Sequence, residues 1–178
     1  DHAEVFTELK EYYKQTSESD TTKISFYEDT YSLYNLYRFA HYYEEAYGKY
    51  IWLKSGASLV IEHTEAMTVI DVNTGSVLKK KKQEDTLFYQ INREAAKEIA
   101  RQLRLRNISG IIMIDFINMK DTAQKEKLLS LLDSECKKDR VHCNVIDMTA
   151  LNLVEMTRNK VRKPLHEQIR SCMKNNRS

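Results

Sequence analysis

Two nearly uninterrupted apolar runs dominate the pattern of this chain, and each places an aspartate near its end. The first covers residues 67–75, with the sequence MTVIDVNTG, and the second covers residues 110–116, with the sequence GIIMIDF. Runs of this kind are typical of strands that are buried on both faces of a sheet. Because ligands of open α/β sheets bind at the carboxyl ends of strands, Asp71 and Asp115 are candidate functional residues.

The rest of the pattern predicts further helices and strands around these two runs. Apolar residues recur at helical spacing in four segments, residues 3–13, 32–47, 86–106 and 122–138. Strands are predicted at residues 23–27, 58–62, 67–72, 110–116 and 141–148. A final helix is predicted to begin within residues 153–161. Alternating strands and helices imply parallel pairing through crossovers, so we expect an α/β fold with a mixed, largely parallel sheet flanked by helices.

The crossover between the two apolar runs brings their aspartates together, provided that the two strands are neighbours. Two carboxylates at one sheet edge can form a binding site for a hard cation such as Mg²⁺. Strand-end acids also commonly cap the next loop or helix, and the pattern alone leaves both readings open. Asn73 lies on the same side of the strand as Asp71 and could hold a water, hold a phosphate oxygen, or form a turn. For Asp147, a third acid after an apolar run, a local cap is favoured.

Composition adds limits on size, redox state and location. The chain has 178 residues with one proline and four glycines, which favours long helices in one domain or in one domain plus a fragment. Three cysteines without a C-x-x-C spacing indicate reduced thiols in a cytoplasmic protein. No apolar run approaches the length of a membrane span. The chain begins at Asp1 without a methionine, so we expect a fragment of a longer protein.

Basic residues form local clusters, although the net charge is only +2. The run of Lys79, Lys80, Lys81 and Lys82 follows the first aspartate strand, and Arg101 and Arg158 belong to two further basic segments. Such clusters are usually solvated, but beside a metal site that cleaves a polyanion they would contact phosphates.

The chain also carries 11 tyrosines, nearly all of them before Ile51. Tyrosine rings can stack on nucleobases. The favoured interpretation is that these rings pack between helix and sheet with their hydroxyl groups at the rim.

Several long strings, taken in order, resemble the bacterial ribonuclease E/G family. They are WLKSGASLVI from Trp52, TEA from Thr64, IDVNTG from Ile70, EDT from Glu84, NREAA from Asn92, residues 99–106, residues 110–119 and residues 153–158. The resemblance runs from about residue 51 to residue 165. The chain departs from the usual family residues at Ala57, Asn118, Ala150 and Asn152, where glycine, aspartate, a basic residue and glycine are common.

The resemblance implies a fold and a chemistry. Residues 28–165 would form a deoxyribonuclease-I-like catalytic subdomain, residues 1–27 the end of an RNase H-like subdomain, and residues 166–178 a basic tail. The implied activity is Mg²⁺-dependent endonucleolytic cleavage of single-stranded RNA, with Asp71 and Asp115 as metal ligands. Asn73 would orient the attacking water or the scissile phosphate. The full-length protein could be a homo-oligomer, and an RNA-binding module with little turnover is the alternative.

Overall fold

A computed structural model of the chain describes residues 1–16, 24–75 and 84–169. The chain divides into two compact units, Asp1–Glu45 and Ala46–Ser178. The helices are α1 (Ala3–Thr16), α2 (Leu33–Leu36), α3 (Phe39–Tyr47), α4 (Glu84–Leu105) and α5 (Thr122–Cys136). The strands are β1 (Tyr50–Trp52), β2 (Ser58–His63), β3 (Met67–Asn73), β4 (Gly110–Asp115), β5 (Cys143–Met148) and β6 (Leu153–Arg158).

The described secondary structure of the unit Asp1–Glu45 is helical, and residues 24–32 between α1 and α2 form neither helix nor strand. Residues 24–27 form no strand, so that part of the predicted strand at 23–27 is wrong, and Lys23 lies outside the described residues. The helix predicted over residues 32–47 is two helices, because Arg38 between them has a φ of 52° that a helix cannot continue through. The division after Glu45 does not assign either unit to a subdomain, so the predicted subdomain boundaries at residues 27 and 165 stay a prediction.

The favoured interpretation of the tyrosines is wrong for most of those that the structure describes. They are exposed, with 41–61% of their surface accessible: Tyr12, Tyr13, Tyr31, Tyr34, Tyr37, Tyr42, Tyr43, Tyr47 and Tyr50. Packing between helix and sheet therefore does not account for their number.

The unit Ala46–Ser178 is built on one six-stranded sheet with the order β1-β2-β3-β4-β6-β5. Strands β3 and β4 are parallel neighbours connected through α4, as the two apolar runs predict. The other neighbouring pairs, β1–β2, β2–β3, β4–β6 and β5–β6, are antiparallel. The α/β class with a mixed sheet flanked by helices is confirmed, but the parallel share is smaller than predicted.

Strand β6 is the reason for this difference. The predicted final helix over residues 153–161 is wrong, because Leu153–Arg158 is a strand inserted between β4 and β5. Its burial alternates with the two-residue period of a strand, with Val154, Met156 and Arg158 on the buried side. The turn before it contains Asn152 with a φ of 64°, a left-handed conformation that suits the glycine usual in the resembling family.

The sheet has one buried face and one open face. On the buried face, residues of β2, β3, β4 and β6 pack with α4 and α5 in a single core that includes Leu59, Ile70, Ile112, Ile114 and Val154. The alternate residues of the same strands form what we call the open face, where most side chains are exposed or half-buried: Tyr50, Trp52, Val60, Glu62, Val69, Asp71, Asn73, Ile111, Met113, Asp115 and Glu155.

His63, the last residue of β2, forms a half-buried contact that should make stability depend on pH. Its ring stacks on His166 with centroids 3.8 Å apart, and its Nδ1 lies 3.0 Å from Thr68 Oγ1. Burial, followed by the nearby charges of His166 and Arg106, lowers the pKa of His63 from 6.5 to about 4. The folded state therefore resists protonation of this ring.

We expect the free energy of unfolding to fall between pH 6.5 and pH 4, because only the unfolded chain binds a proton at His63 in that window. The loss should be about 1–2 kcal/mol after solvent screening of this half-buried site. Replacing His63 with Asn should flatten the profile measured by urea unfolding, whereas His142→Asn, at an exposed position, should not. An identical slope in His63→Asn would contradict this assignment.

Within the described residues, no helix is long and apolar enough to cross a bilayer.

Candidate active site

Asp71 and Asp115 are direct partners across the parallel pair of β3 and β4. Partners in a parallel ladder point to the same side of the sheet, here the open face, with their Cα atoms about 4.8 Å apart. Both residues lie close to the carboxyl ends of their strands, so the structure brings together the two aspartates that the sequence singled out. Asp71 is half-buried and Asp115 is exposed.

Asn73 completes this cluster on the same face of β3. Its Nδ2 donates a hydrogen bond of 2.7 Å to Asp71 Oδ2, which holds that carboxylate in one orientation. Burial, and then the charge of Asp71, raise the pKa of Asp115 above its ordinary value. The two carboxylates therefore repel each other, and a bound cation would relieve that repulsion.

A buried asparagine of α4 secures the segment that follows Asp115. Asn92 has no exposed surface, its Nδ2 donates to Ile117 O at 2.7 Å, and its Oδ1 accepts from Ile117 N at 3.0 Å. This two-point contact fixes the backbone two residues beyond Asp115. Asn92 is the first residue of the string NREAA. Its structural role could not be predicted from the sequence, because a polar residue of an amphipathic helix usually faces solvent.

The turn between β1 and β2 is held by a side chain of α4 and closely approaches Gly75, which follows β3. Glu94 of α4 accepts from Lys54 N at 2.7 Å and from Ser55 N at 3.2 Å. A Cβ atom on Gly75 would lie 2.8 Å from the carbonyl oxygen of Gly56, and Gly75 has a φ of 57°. Only glycine fits at position 75, and the φ of 88° at Gly56 also favours glycine there, which accounts for the glycines of the NTG and SGAS strings.

Removing the Asn92 side chain should destabilise the chain and disturb the site. We expect Asn92→Ala to lower the free energy of unfolding by about 2–4 kcal/mol, because it leaves both polar groups of Ile117 without their partner. Asn144→Ala, at an exposed position of β5, should change stability by about 0.5 kcal/mol or less. Urea unfolding of both variants tests this expectation, and equal midpoints would refute it.

The residues that were predicted to contact RNA do not share one environment in the structure. Arg158 is only 4% exposed, and its guanidinium donates to Asp139 Oδ2 at 2.9 Å, Asn107 Oδ1 at 2.9 Å and Ile108 O at 3.0 Å. This burial gives Arg158 a role within the fold and does not support contact with RNA.

Arg101 is exposed on α4, where it pairs with Glu98 at 2.8 Å, and α4 covers the buried face of the sheet. Lys79, Lys80, Lys81 and Lys82 lie outside the described residues. RNA contact by Arg101 and by the four lysines stays a prediction.

Comparison with known proteins identifies the family of this chain. The family model described as the Ribonuclease E/G family matches residues 1–161. The chain belongs to the ribonuclease E/G family. It is 40% identical over 160 residues to ribonuclease G of Haemophilus influenzae, covering 90% of this chain and 32% of that protein.

Two further relatives match this chain at a similar level of identity and coverage. Ribonuclease G of Escherichia coli K12 is 41% identical over 145 residues, which are 82% of this chain and 29% of that protein. Ribonuclease E of Nostoc sp. is 35% identical over 162 residues, which are 89% of this chain and 23% of that protein. The chain thus spans about a third or less of these members of the ribonuclease E/G family.

The donor set of this family member fits a hard divalent cation. Two aspartates share one face and one row of the sheet, and carboxylate oxygens are preferred ligands of Mg²⁺. Among the residues that the structure describes, no group of three or more acidic, histidine or cysteine side chains could hold a metal ion. A site with only two protein carboxylates suits Mg²⁺, which usually keeps several waters and binds substrate phosphates.

Proposed function

We propose that this chain is the catalytic part of a Mg²⁺-dependent endoribonuclease that cleaves single-stranded RNA. The observation that carries the proposal is the direct pairing of Asp71 with Asp115 on the open face of the sheet. Family membership supports it, because the relatives bear the names ribonuclease G and ribonuclease E. The same reasoning favours RNA as the partner, and the three cysteines without a C-x-x-C spacing favour a cytoplasmic setting.

In this proposal the chain's own side chains hold and orient the reacting groups. Asp71 and Asp115 would hold the cation, and Asn73 fixes one oxygen of Asp71 so that the other stays available. When bound, the cation would lower the pKa of a water and offset charge on the phosphate under attack. Asn92 keeps the segment after Asp115 in place through Ile117.

The alternative is an RNA-binding module with the same fold and little turnover. The repulsion between Asp71 and Asp115 favours the enzyme, because a module that only binds a polyanion gains nothing from two adjacent carboxylates. Contacts between the basic segments and RNA phosphates would suit both an endoribonuclease and an RNA-binding module. A homo-oligomeric full-length protein remains part of the proposal.

RNA cleavage by the full-length parent tests this function. Wild type in Mg²⁺ should cleave a single-stranded substrate, and excess chelator should abolish cleavage. Asp71→Asn should be inactive in Mg²⁺ while retaining RNA binding. Cleavage that persists in chelator, or at wild-type rate in Asp71→Asn, would contradict the proposal.

A further inference from the structure

The only tryptophan of the chain lies exposed on the open face, beside the aspartate pair. Trp52 belongs to β1, the edge strand, and 73% of its surface is accessible. Tyr50, two residues before it on the same face, is 59% accessible. Large aromatic side chains normally bury most of their surface, so two adjacent exposed rings on one strand indicate an interaction surface.

The strand register fixes where these rings lie relative to the aspartates. Trp52 pairs with Ser58, which pairs with Asn73, so these three residues form one row across β1, β2 and β3. Tyr50 pairs with Val60, Val60 with Asp71, and Asp71 with Asp115, which forms the next row. Two strand spacings separate each ring from β3, a distance of about 10 Å along the sheet surface.

That distance suits a nucleic acid strand that passes over the aspartate pair. Successive stacked nucleotides rise about 3.4 Å, so about 10 Å corresponds to roughly three nucleotides or fewer. Trp52 and Tyr50 are about 7 Å apart along β1, which leaves room for a base at each ring. Exposed aromatic rings on a sheet surface are a known way to hold the bases of single-stranded RNA.

The surroundings favour Trp52 over Tyr50 as the main stacking ring. The Nζ atom of Lys49 lies 5.8 Å from the centroid of Tyr50 and also pairs with Glu62. Within the described part of the chain, no ring or cation is stacked on Trp52. The turn that follows Trp52 is held by Glu94 of α4 through Lys54 N and Ser55 N, so the position of the ring is secured from the core.

We infer that Trp52, assisted by Tyr50, forms a stacking platform for a nucleobase of single-stranded RNA a few nucleotides from the bond that is cut. This inference rests on the proposed function, because it takes RNA as the polymer that crosses the aspartate pair. The platform recognises the flat face of a base and not its hydrogen-bonding edge. It holds the strand over Asp71 and Asp115, so Trp52 is a positioning residue.

The fluorescence of this chain reports directly on the inference, because Trp52 is its only tryptophan. A short oligoadenylate is titrated into the 178-residue chain at low salt, with chelator present to prevent cleavage. Binding is measured in parallel by the fluorescence anisotropy of a labelled oligoadenylate. An abasic oligomer of equal length carries the same phosphates without bases. The platform predicts that oligoadenylate quenches Trp52 along the binding curve and that the abasic oligomer does not.

Substitutions separate stacking from a general effect on the fold. Trp52→Ala should weaken binding of oligoadenylate by about 5- to 150-fold, because a stacked base contributes that much affinity. It should leave binding of the abasic oligomer unchanged, and Trp52→Phe should restore most of the affinity. Val161→Ala, at a 69% exposed apolar position beyond the end of β6, is the matched control and should have no effect.

Three results would overturn the platform. These are binding of oligoadenylate without quenching of Trp52, equal weakening of the intact and abasic oligomers by Trp52→Ala, and no binding of oligoadenylate at any concentration tested. The first would show that the bound oligomer does not contact Trp52. None of the three affects the chelator test of cleavage, so failure of the platform and failure of the endoribonuclease proposal are distinguishable.

Discussion

Asp115→Asn in the full-length parent should abolish RNA cleavage while the fold remains intact. The substitution removes one of the two carboxylates that would hold the cation, so we expect a loss of about three orders of magnitude or more in rate. Weak RNA binding should persist, because phosphate contacts dominate that affinity.

Stability should move in the opposite direction from activity. Burial and the neighbouring charge of Asp71 raise the pKa of Asp115, so the ionised carboxylate costs free energy in the folded chain without metal. The amide that replaces this carboxylate carries no charge and relieves the cost at neutral pH. The melting temperature of the variant in chelator should therefore equal or exceed that of wild type.

Asp147→Asn provides the matched control at another strand-end acid. Asp147 lies on β5, two strands from β4, and its Oδ1 accepts a hydrogen bond of 2.7 Å from Met148 N. This contact agrees with the local role that the sequence favoured for it. Cleavage by Asp147→Asn should match wild type. Wild-type cleavage by Asp115→Asn would exclude a ligand role for Asp115.

The second large effect concerns the buried ion pair of Arg158 and Asp139. Their side chains are 3% and 7% exposed and are joined by a hydrogen bond of 2.9 Å. Burial acts to raise the pKa of Asp139, but the hydrogen bonds from Arg158 and from Val141 N hold it below its ordinary value. The carboxylate is therefore ionised at neutral pH and balances the buried guanidinium.

Removing either partner should leave a buried charge without its counterpart. We expect Asp139→Ala and Arg158→Ala each to lower the free energy of unfolding by about 3–5 kcal/mol, a large share of the stability of a domain. Arg101→Ala, which removes an exposed pair with Glu98, should cost about 0.5 kcal/mol or less. Chemical denaturation of the three variants tests this, and similar midpoints for Arg158→Ala and Arg101→Ala would contradict it.

The part of the fold that the sequence predicts well is the part with an unambiguous pattern. The two apolar runs are typical of buried strands, and the helix between them favours a parallel crossover. The strands are neighbours, and their register places Asp71 opposite Asp115, as was expected for adjacent strands. The segment between β2 and β3 is too short for a crossover, and these two strands pair antiparallel.

Buried polar side chains account for two features that the sequence predicted poorly, and the shortness of a strand accounts for a third. Arg158 occupies an inward position of β6, which hides the alternation of that strand and favoured a helix there. Asn92 occupies a fully buried position of α4, where an amide resembles a surface residue until its partner at Ile117 is known. Strand β1 has only three residues, too few for any period to show. For Arg158 and Asn92 the deciding contacts come from distant segments of the chain.

The measurement that tests the central claim most directly is paramagnetic broadening by Mn²⁺ of the backbone amide signals of this chain. Mn²⁺ favours the same oxygen ligands as Mg²⁺, and broadening reports the position of even a weakly bound ion. If Asp71 and Asp115 share one cation, small additions of Mn²⁺ should broaden Asn73 and Phe116 first. Excess Mg²⁺ should reverse the effect, and Asp71→Asn combined with Asp115→Asn should abolish it. Broadening that begins elsewhere, or that survives both substitutions, would contradict a metal site at this pair.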